Sequence, residues 1–280
     1  METGEKAPSF RLKDQFGREQ SNDTPRGTNG TVLLFFRSAD WRPFCKGQLV
    51  QLQNSKSRFE AQGIKLAAIS YDSPAILKDF TDRHKIDFPL LADPDSKVSR
   101  SFHVLNEKAD GMTRGMALPG FFYIDKAGVI REKYFEVNYV DRFTPNNVIA
   151  KLFPELTEEV SSKVAAPHLE LALAQSDRAV IPGSRVSLFV DVGLPPDTHV
   201  YAPGVTGYKP IALIVQPSAE IEVAAAGYPE AKTLYLDAIK EKVAVFEGKF
   251  QIVQDVKIAA SKALIQSLGP QGKPFTWTVS

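Results

Sequence analysis

Residues 31–36 read Thr-Val-Leu-Leu-Phe-Phe, an apolar run with no charge inside it, closed by Arg37 and Ser38. It has the length of a strand, and the lack of polar alternation marks a strand buried on both faces. A sheet containing it needs covering layers on both sides, and the residues that follow supply them. Residues 45–62 have helical spacing, with Leu49, Leu52 and Phe59 on or near one stripe and Gly63 just past the end. Residues 64–70 (IKLAAIS) form the next expected strand. Residues 73–84 form the next helix, with Ser73 as N-cap and Pro74 at the first helical position. A short strand over 88–93, a short helix over 96–104, a hairpin over 121–137 around Lys-Ala-Gly and a helix over 144–153 complete the pattern. Strand–helix alternation ending in a hairpin predicts an α/β layer with a central mixed sheet.

After Phe153 the period changes. Residues 154–167 are polar and rich in small side chains, as a linker is. Beyond them, alternation in twos dominates: Leu169, Leu171 and Leu173; Val186, Leu188, Val190 and Val192; Ile211, Leu213 and Val215; Phe250, Ile252, Val256 and Ile258; Phe275, Trp277 and Val279. Turn clusters separate these runs, so the second half is expected to be an all-β, immunoglobulin-like sandwich. The predicted organisation is one domain over 1–157, a linker over 158–167 and a second domain over 168–280.

Composition narrows the function. The 280 residues carry 34 basic and 33 acidic side chains, a net charge of +1, which gives no electrostatic footprint for nucleic acid or an anionic membrane. No segment has the apolar length of a membrane span, so no membrane insertion is expected. The opening METGEKAPSF lacks the layout of a secretory signal, which taken alone reads as cytoplasmic. His84, His103, His168 and His199 fall in different elements without metal-ligand spacing, and no metal or other cofactor is called for.

The single cysteine, Cys45, stands in FFRSADWRPFCKGQLVQLQ, residues 35–53. The segment has the outline of a Trp-Cys-x-x-Cys motif with Arg42 in place of the first cysteine. One cysteine excludes dithiol exchange within these residues and leaves one-sulfur chemistry.

Residues 1–153 resemble a peroxiredoxin of the alkyl hydroperoxide reductase/thiol-specific antioxidant class, a branch of the thioredoxin fold. GEKAPSFRLKDQFGRE (4–19) resembles that family's opening, the Cys45 segment its active site, and MALPGFFYIDKAGVIREKYF its late hairpin. The family motif runs Pro-x-x-x-Thr-x-x-Cys with an acid or amide three residues on; here Ser38 takes the proline position, Arg42 the threonine and Gln48 the last. Where the family places an arginine before a Gly-x-Phe strand, this chain has Pro119. A proline there is the thioredoxin-like pattern, in which it is cis and faces the redox centre.

The resemblance implies a Cys45 thiolate attacking the O–O bond of hydrogen peroxide or a small alkyl hydroperoxide. Such a cysteine needs a pKa below the roughly 8.5 of a free thiol. The first turn of its helix, with Arg42 and Arg37 nearby, is expected to favour the anion. Arg42 is the expected electrostatic support and Pro119 part of the site wall. The sulfenic acid product would be resolved by an external thiol, from glutathione, a thioredoxin or a partner protein; a homodimer is left open. The rival reading is a non-catalytic thioredoxin-fold binding or accessory module, because a lone buried cysteine also serves as a small core hydrophobe. A sulfur sealed among apolar groups favours the module, and one in a polar pocket favours the peroxidase.

Residues from about 168 onward resemble the amino-terminal sandwich domain of the transmembrane thiol:disulfide interchange reductase. LPPDTHVYAPG, GYKPIALIV and GYPEAKTL carry the match through His199, Tyr201, Pro210 and Pro229. That family's domain relays electrons through a cysteine pair that is missing here, so a docking role or control of access to Cys45 is implied. The family works outside the cytoplasm, which pulls towards a periplasmic location.

Overall fold

The computed structural model describes residues 1–136, 141–154, 162–216 and 218–267. It divides into two compact units, Met1–Ile149 and Ala150–Ser280.

The first unit is built on a seven-stranded mixed sheet in the order β2-β1-β5-β4-β3-β6-β7. Its strands are β1 (Arg11–Asp14), β2 (Glu19–Ser21), β3 (Gly30–Phe35), β4 (Ile64–Ser70), β5 (Leu90–Ala92), β6 (Gly120–Asp125) and β7 (Ile130–Phe135). At its centre β3 and β4 run parallel, Gly30 opposite Ile64 through Phe35 opposite Ile69, and β6 returns antiparallel to β3. Every residue of β3 is buried, as an unbroken apolar run requires. On one face Phe35, Phe102 and Phe122 meet with ring centroids 5.1–5.9 Å apart; each buried ring contributes about 1.5–3 kcal/mol of hydrophobic stabilisation.

Helix α1 (Pro43–Ala61) buries Cys45, Gln48, Leu49, Leu52, Ser55 and Phe59, the spacing of a single inward stripe. Its end is set by Gly63, at φ +68°, where a Cβ would come within 2.2 Å of Thr28 Oγ1. Helix α2 (Pro74–His84) begins as expected, the Ser73 side chain accepting from Ile76 N. Helix α3 is shorter than its sequence pattern, Lys97–Ser101, and α4 runs Pro145–Leu152. The boundary between the units, Ile149/Ala150, falls within α4 and lies earlier in the chain than the sequence suggests.

The described residues of the second unit are mainly β. One antiparallel sheet has the order β13-β16-β11-β10-β9, from β9 (Ser162–Ala166), β10 (Leu169–Gln175), β11 (Ser184–Gly193), β13 (Ile221–Gly227) and β16 (Lys249–Ile258). A three-stranded antiparallel sheet has the order β12-β15-β14, from β12 (His199–Tyr201), β14 (Lys232–Leu236) and β15 (Glu241–Glu247). A last short helix, α5, spans Lys262–Ser267.

Two sequence expectations need correction here. Part of the presumed linker is the strand β9, paired with β10 from Ala166 opposite Leu169 to Ser162 opposite Leu173; its sequence, Ser-Lys-Val-Ala-Ala, has little apolar bulk and so resembles a linker. The alternating run Ile211, Leu213 and Val215 forms no strand. Pro210 has no N–H, and the amides of Ile211 and Leu213 donate instead to Tyr201 O and the Tyr228 hydroxyl. The expected strand at Phe275, Trp277 and Val279 lies outside the described residues.

Candidate active site

The parallel pairing of β3 and β4 sends both strands out at the same end of the sheet, and the chain at that end makes the site. Phe36 N bonds Ile69 O, and residues 37–42 form the loop into α1. Arg42 is the N-cap with extended dihedrals and no side-chain capping bond, and Pro43 opens the helix. Cys45 therefore lies in the first turn, and it is also the first residue of the inward stripe. Those two placements together leave it 0% exposed.

The sulfur does not face hydrocarbon alone. Nη2 of Arg142 approaches Cys45 Sγ at 3.9 Å. Arg142 sits in β8 (Arg142–Phe143) and, like Arg37, is buried. One turn further along α1, Gln48 Nε2 donates to Phe143 O at 3.2 Å. Ser55 Oγ and Arg58 Nη1 then both donate to Asn146 Oδ1, at 3.0 and 2.8 Å. The buried edge of α1 is thus fastened along residues 142–146, and the guanidinium is fixed against the thiol by that fastening. Burial pushes the Arg142 guanidinium below arginine's ordinary range, the Cys45 sulfur opposes this, and the nearby Arg37 charge adds to it. A guanidinium in this position can hold negative charge on sulfur or on an oxygen bound to it.

The loop before Cys45 is held from β4. Asp72 Oδ1 accepts from Ser38 Oγ at 2.9 Å, and Oδ2 accepts from Ala39 N at 2.8 Å and Ser70 Oγ at 2.9 Å. Asp40 N donates to Ser38 Oγ at 3.0 Å, and Trp41 Nε1 donates to the Tyr71 hydroxyl at 3.2 Å. Burial raises the Asp72 carboxyl above its ordinary range, the Ala39 amide and the Ser38 and Ser70 hydroxyls work against this, and Asp40 adds to the rise.

The sequence-predicted residues fare differently. Cys45 and Gln48 both lie on the buried stripe of α1, and the Gln48 amide donates to Phe143 O. The Arg42 guanidinium lies over the Trp41 ring, 4.0 Å from its centroid, and the guanidinium bonded to sulfur is that of Arg142, which the sequence did not single out. Pro119 is buried just ahead of Gly120, which pairs with Phe35, so it lies at the same sheet end as the α1 loop. Its peptide bond is trans, against the sequence expectation, in keeping with the trans preference of X–Pro bonds. Gly120 itself is imposed by packing, since a Cβ would lie 2.3 Å from the Phe135 ring. The only hint of Arg142 was an arginine set between Val140 and Phe143, and such a flank says nothing about a partner 97 residues away.

The chain belongs to the AhpC/TSA family, whose model matches residues 3–133. Alkyl hydroperoxide reductase E of Mycobacterium tuberculosis is 34% identical over 133 residues, covering 47% of this chain and 83% of the relative. A protein described as putative peroxiredoxin bcp, from Haemophilus influenzae, is 31% identical over 140 residues, covering 48% and 86%. Among solved structures, AhpC of Enterococcus faecalis matches at 22% identity with a TM-score of 0.46, covering 57% of this chain and 98% of its own. The family match ends before Arg142.

Proposed function

We propose that the chain is a single-cysteine thiol peroxidase acting on hydrogen peroxide or alkyl hydroperoxides. The observation that carries the reading is the Arg142 guanidinium at 3.9 Å from the Cys45 sulfur, inside a family of peroxidases. The Cys45 thiolate attacks the distal peroxide oxygen, the S–O bond forms as the O–O bond breaks, and the alkoxide or hydroxide leaves with a proton from the medium. Sulfur is oxidised to sulfenic acid and the peroxide is reduced to an alcohol or water. Arg142 stabilises the charge that builds on the departing oxygen. Arg42, at the threonine position of the motif, and Pro119, at the same sheet end, border this centre. One external thiol condenses with the sulfenic acid, releasing water, and a second thiol frees Cys45 and leaves as a disulfide.

For the second unit, a sandwich of its two sheets is supported by shared packing: Val200 of β12 packs on the cluster of Val190, Val192 and Ile252, and Phe246 of β15 packs on Phe250 of β16. With no cysteine in it, docking of the external reductant is the role that fits.

The closed sulfur favours a second reading, a binding module with silent chemistry, because peroxide reaches a thiol with no exposed surface only after local opening. Stopped-flow oxidation by hydrogen peroxide across pH, with the sulfenate trapped and weighed, separates the two. Reaction well above that of a free thiolate supports the peroxidase; a rate at that of free thiolate leaves the module.

A further inference from the structure

We propose that Asp72 is the positioning residue for Cys45, a carboxylate latch that holds the nucleophile's loop in place of the proline found in the family motif. The proposal rests on the peroxidase reading for its meaning, though not for its geometry. Ser38 stands at the motif's proline position, and a serine has none of the ring constraint by which proline fixes the backbone. What restrains it here is the Asp72 carboxylate, which accepts from Ser38 Oγ and Ala39 N on the loop and from Ser70 Oγ at the end of β4. Ser38 Oγ passes the restraint on to Asp40 N, and Lys46 Nζ of α1 donates to Asp40 O at 2.6 Å. Next to the latch, the Tyr71 hydroxyl holds Trp41. Residues 70–72 thus grip 38–41, and α1 with Cys45 starts directly after that grip.

All three groups bonded to Asp72 are donors. The ionised carboxylate can accept from each of them. A protonated one brings a fourth hydrogen into a ring of donors and loses an acceptor position, so the latch is tight when charged and loose when neutral. Burial raises the Asp72 carboxyl, which moves that change towards neutrality. The charged and titratable groups around it are few. Asp40 lies on the loop, Tyr71 is adjacent in sequence, and Lys46 reaches the loop from α1. Asp93, on the neighbouring strand end, has its carboxylate taken up by Val98 N, Ser99 N and Ser99 Oγ.

The test measures alkylation of Cys45 by the uncharged reagent iodoacetamide, and its oxidation by hydrogen peroxide, from acid to alkaline pH in the full chain. Wild type should show an acid-side fall in oxidation beyond that of one thiol ionisation, and an alkylation rate that falls by less than one thiol ionisation requires, because the loosened loop opens the buried sulfur to the reagent. Asp72→Asn, which cannot ionise and mimics the neutral latch, should lack the extra step in both profiles; at alkaline pH it should oxidise about tenfold more slowly, the scale of a small misplacement of the reacting atom, and alkylate faster, since the loop opens more readily. Ser38→Ala removes one donor yet keeps the carboxyl, so the extra step should persist and move to higher pH. It also covers the case in which Asp72→Asn fails to fold. An unchanged profile in folded Asp72→Asn, or an unmoved step in Ser38→Ala, overturns the latch. If peroxide oxidation is slow throughout while alkylation still shows the step, the latch stands and the peroxidase reading falls.

Discussion

Each unit holds a polar cluster against its sheet, and the two are composed in opposite ways. In the second unit the Asp255 carboxylate is met by the Ser187 hydroxyl, by Lys151 Nζ at 3.0 Å and by Arg185 Nη1 at 3.9 Å. Beside it Ser176 Oγ donates to Asp177 at 2.7 Å and accepts from Ser187 N at 3.0 Å. Acids meet donors and the charges offset one another. In the first unit the buried charge near Cys45 is mainly cationic: Arg37 and Arg142 are both buried, Asp141 lies beside them, and Arg142 faces a sulfur. Burial works against the Arg142 charge and Arg37 adds to that, while the Cys45 sulfur and Asp141 favour the charge. The arrangement in the second unit is one that stability alone favours; the one around Cys45 carries a desolvation cost that the proposed peroxidase reading would account for.

Three substitutions would break or sharpen that contrast. Arg142→Met keeps volume and removes the charge, so sulfenate formation should slow by about a hundredfold, the scale of losing one donor at a developing oxyanion. Thermal stability should hold or rise, since replacing a buried charge with hydrocarbon is often favourable. A parallel loss of melting temperature and rate would make Arg142 a structural residue. Asp255→Asn should behave inversely, costing about 1–2 kcal/mol in denaturant melts while Cys45 oxidation stays within twofold. Slower oxidation would mean that the second cluster also serves the chemistry. Arg42→Ala should have the smallest effect, about two- to threefold in rate, because its guanidinium is stacked on Trp41 and such a contact is worth about 0.5–1 kcal/mol. A loss matching that of Arg142→Met would return the role of charge partner to Arg42.

What could be read from the chain was whatever local pattern dictates. The burial of β3, the inward stripe of α1, the Ser73 cap and the β6–β7 hairpin each follow from spacing or from a turn residue, and each stands where expected. What could not be read depends on groups far apart in sequence. Ser70-Tyr71-Asp72-Ser73 reads as the end of a strand and a helix cap; that Asp72 also receives Ser38 requires knowing that β3 and β4 run parallel and in register. Arg142 is hidden for the same reason, and more deeply, since it lies past the family-matched residues. The failed strand at 211–215 shows the converse. Alternation was present, but Pro210 and the Tyr228 hydroxyl redirected the hydrogen bonds that a strand needs.

Cys45, the nucleophile of the proposed reaction, is also the first member of the stripe that seats α1 on its sheet. An oxygen added to a sulfur with no exposed surface has to displace a neighbour, so oxidation is also a change of volume in a close-packed interior. In the proposed reaction the opening turn of α1 would couple redox state to shape, and the side chains that fasten α1 along residues 142–146 would be the first to register that the thiol has reacted.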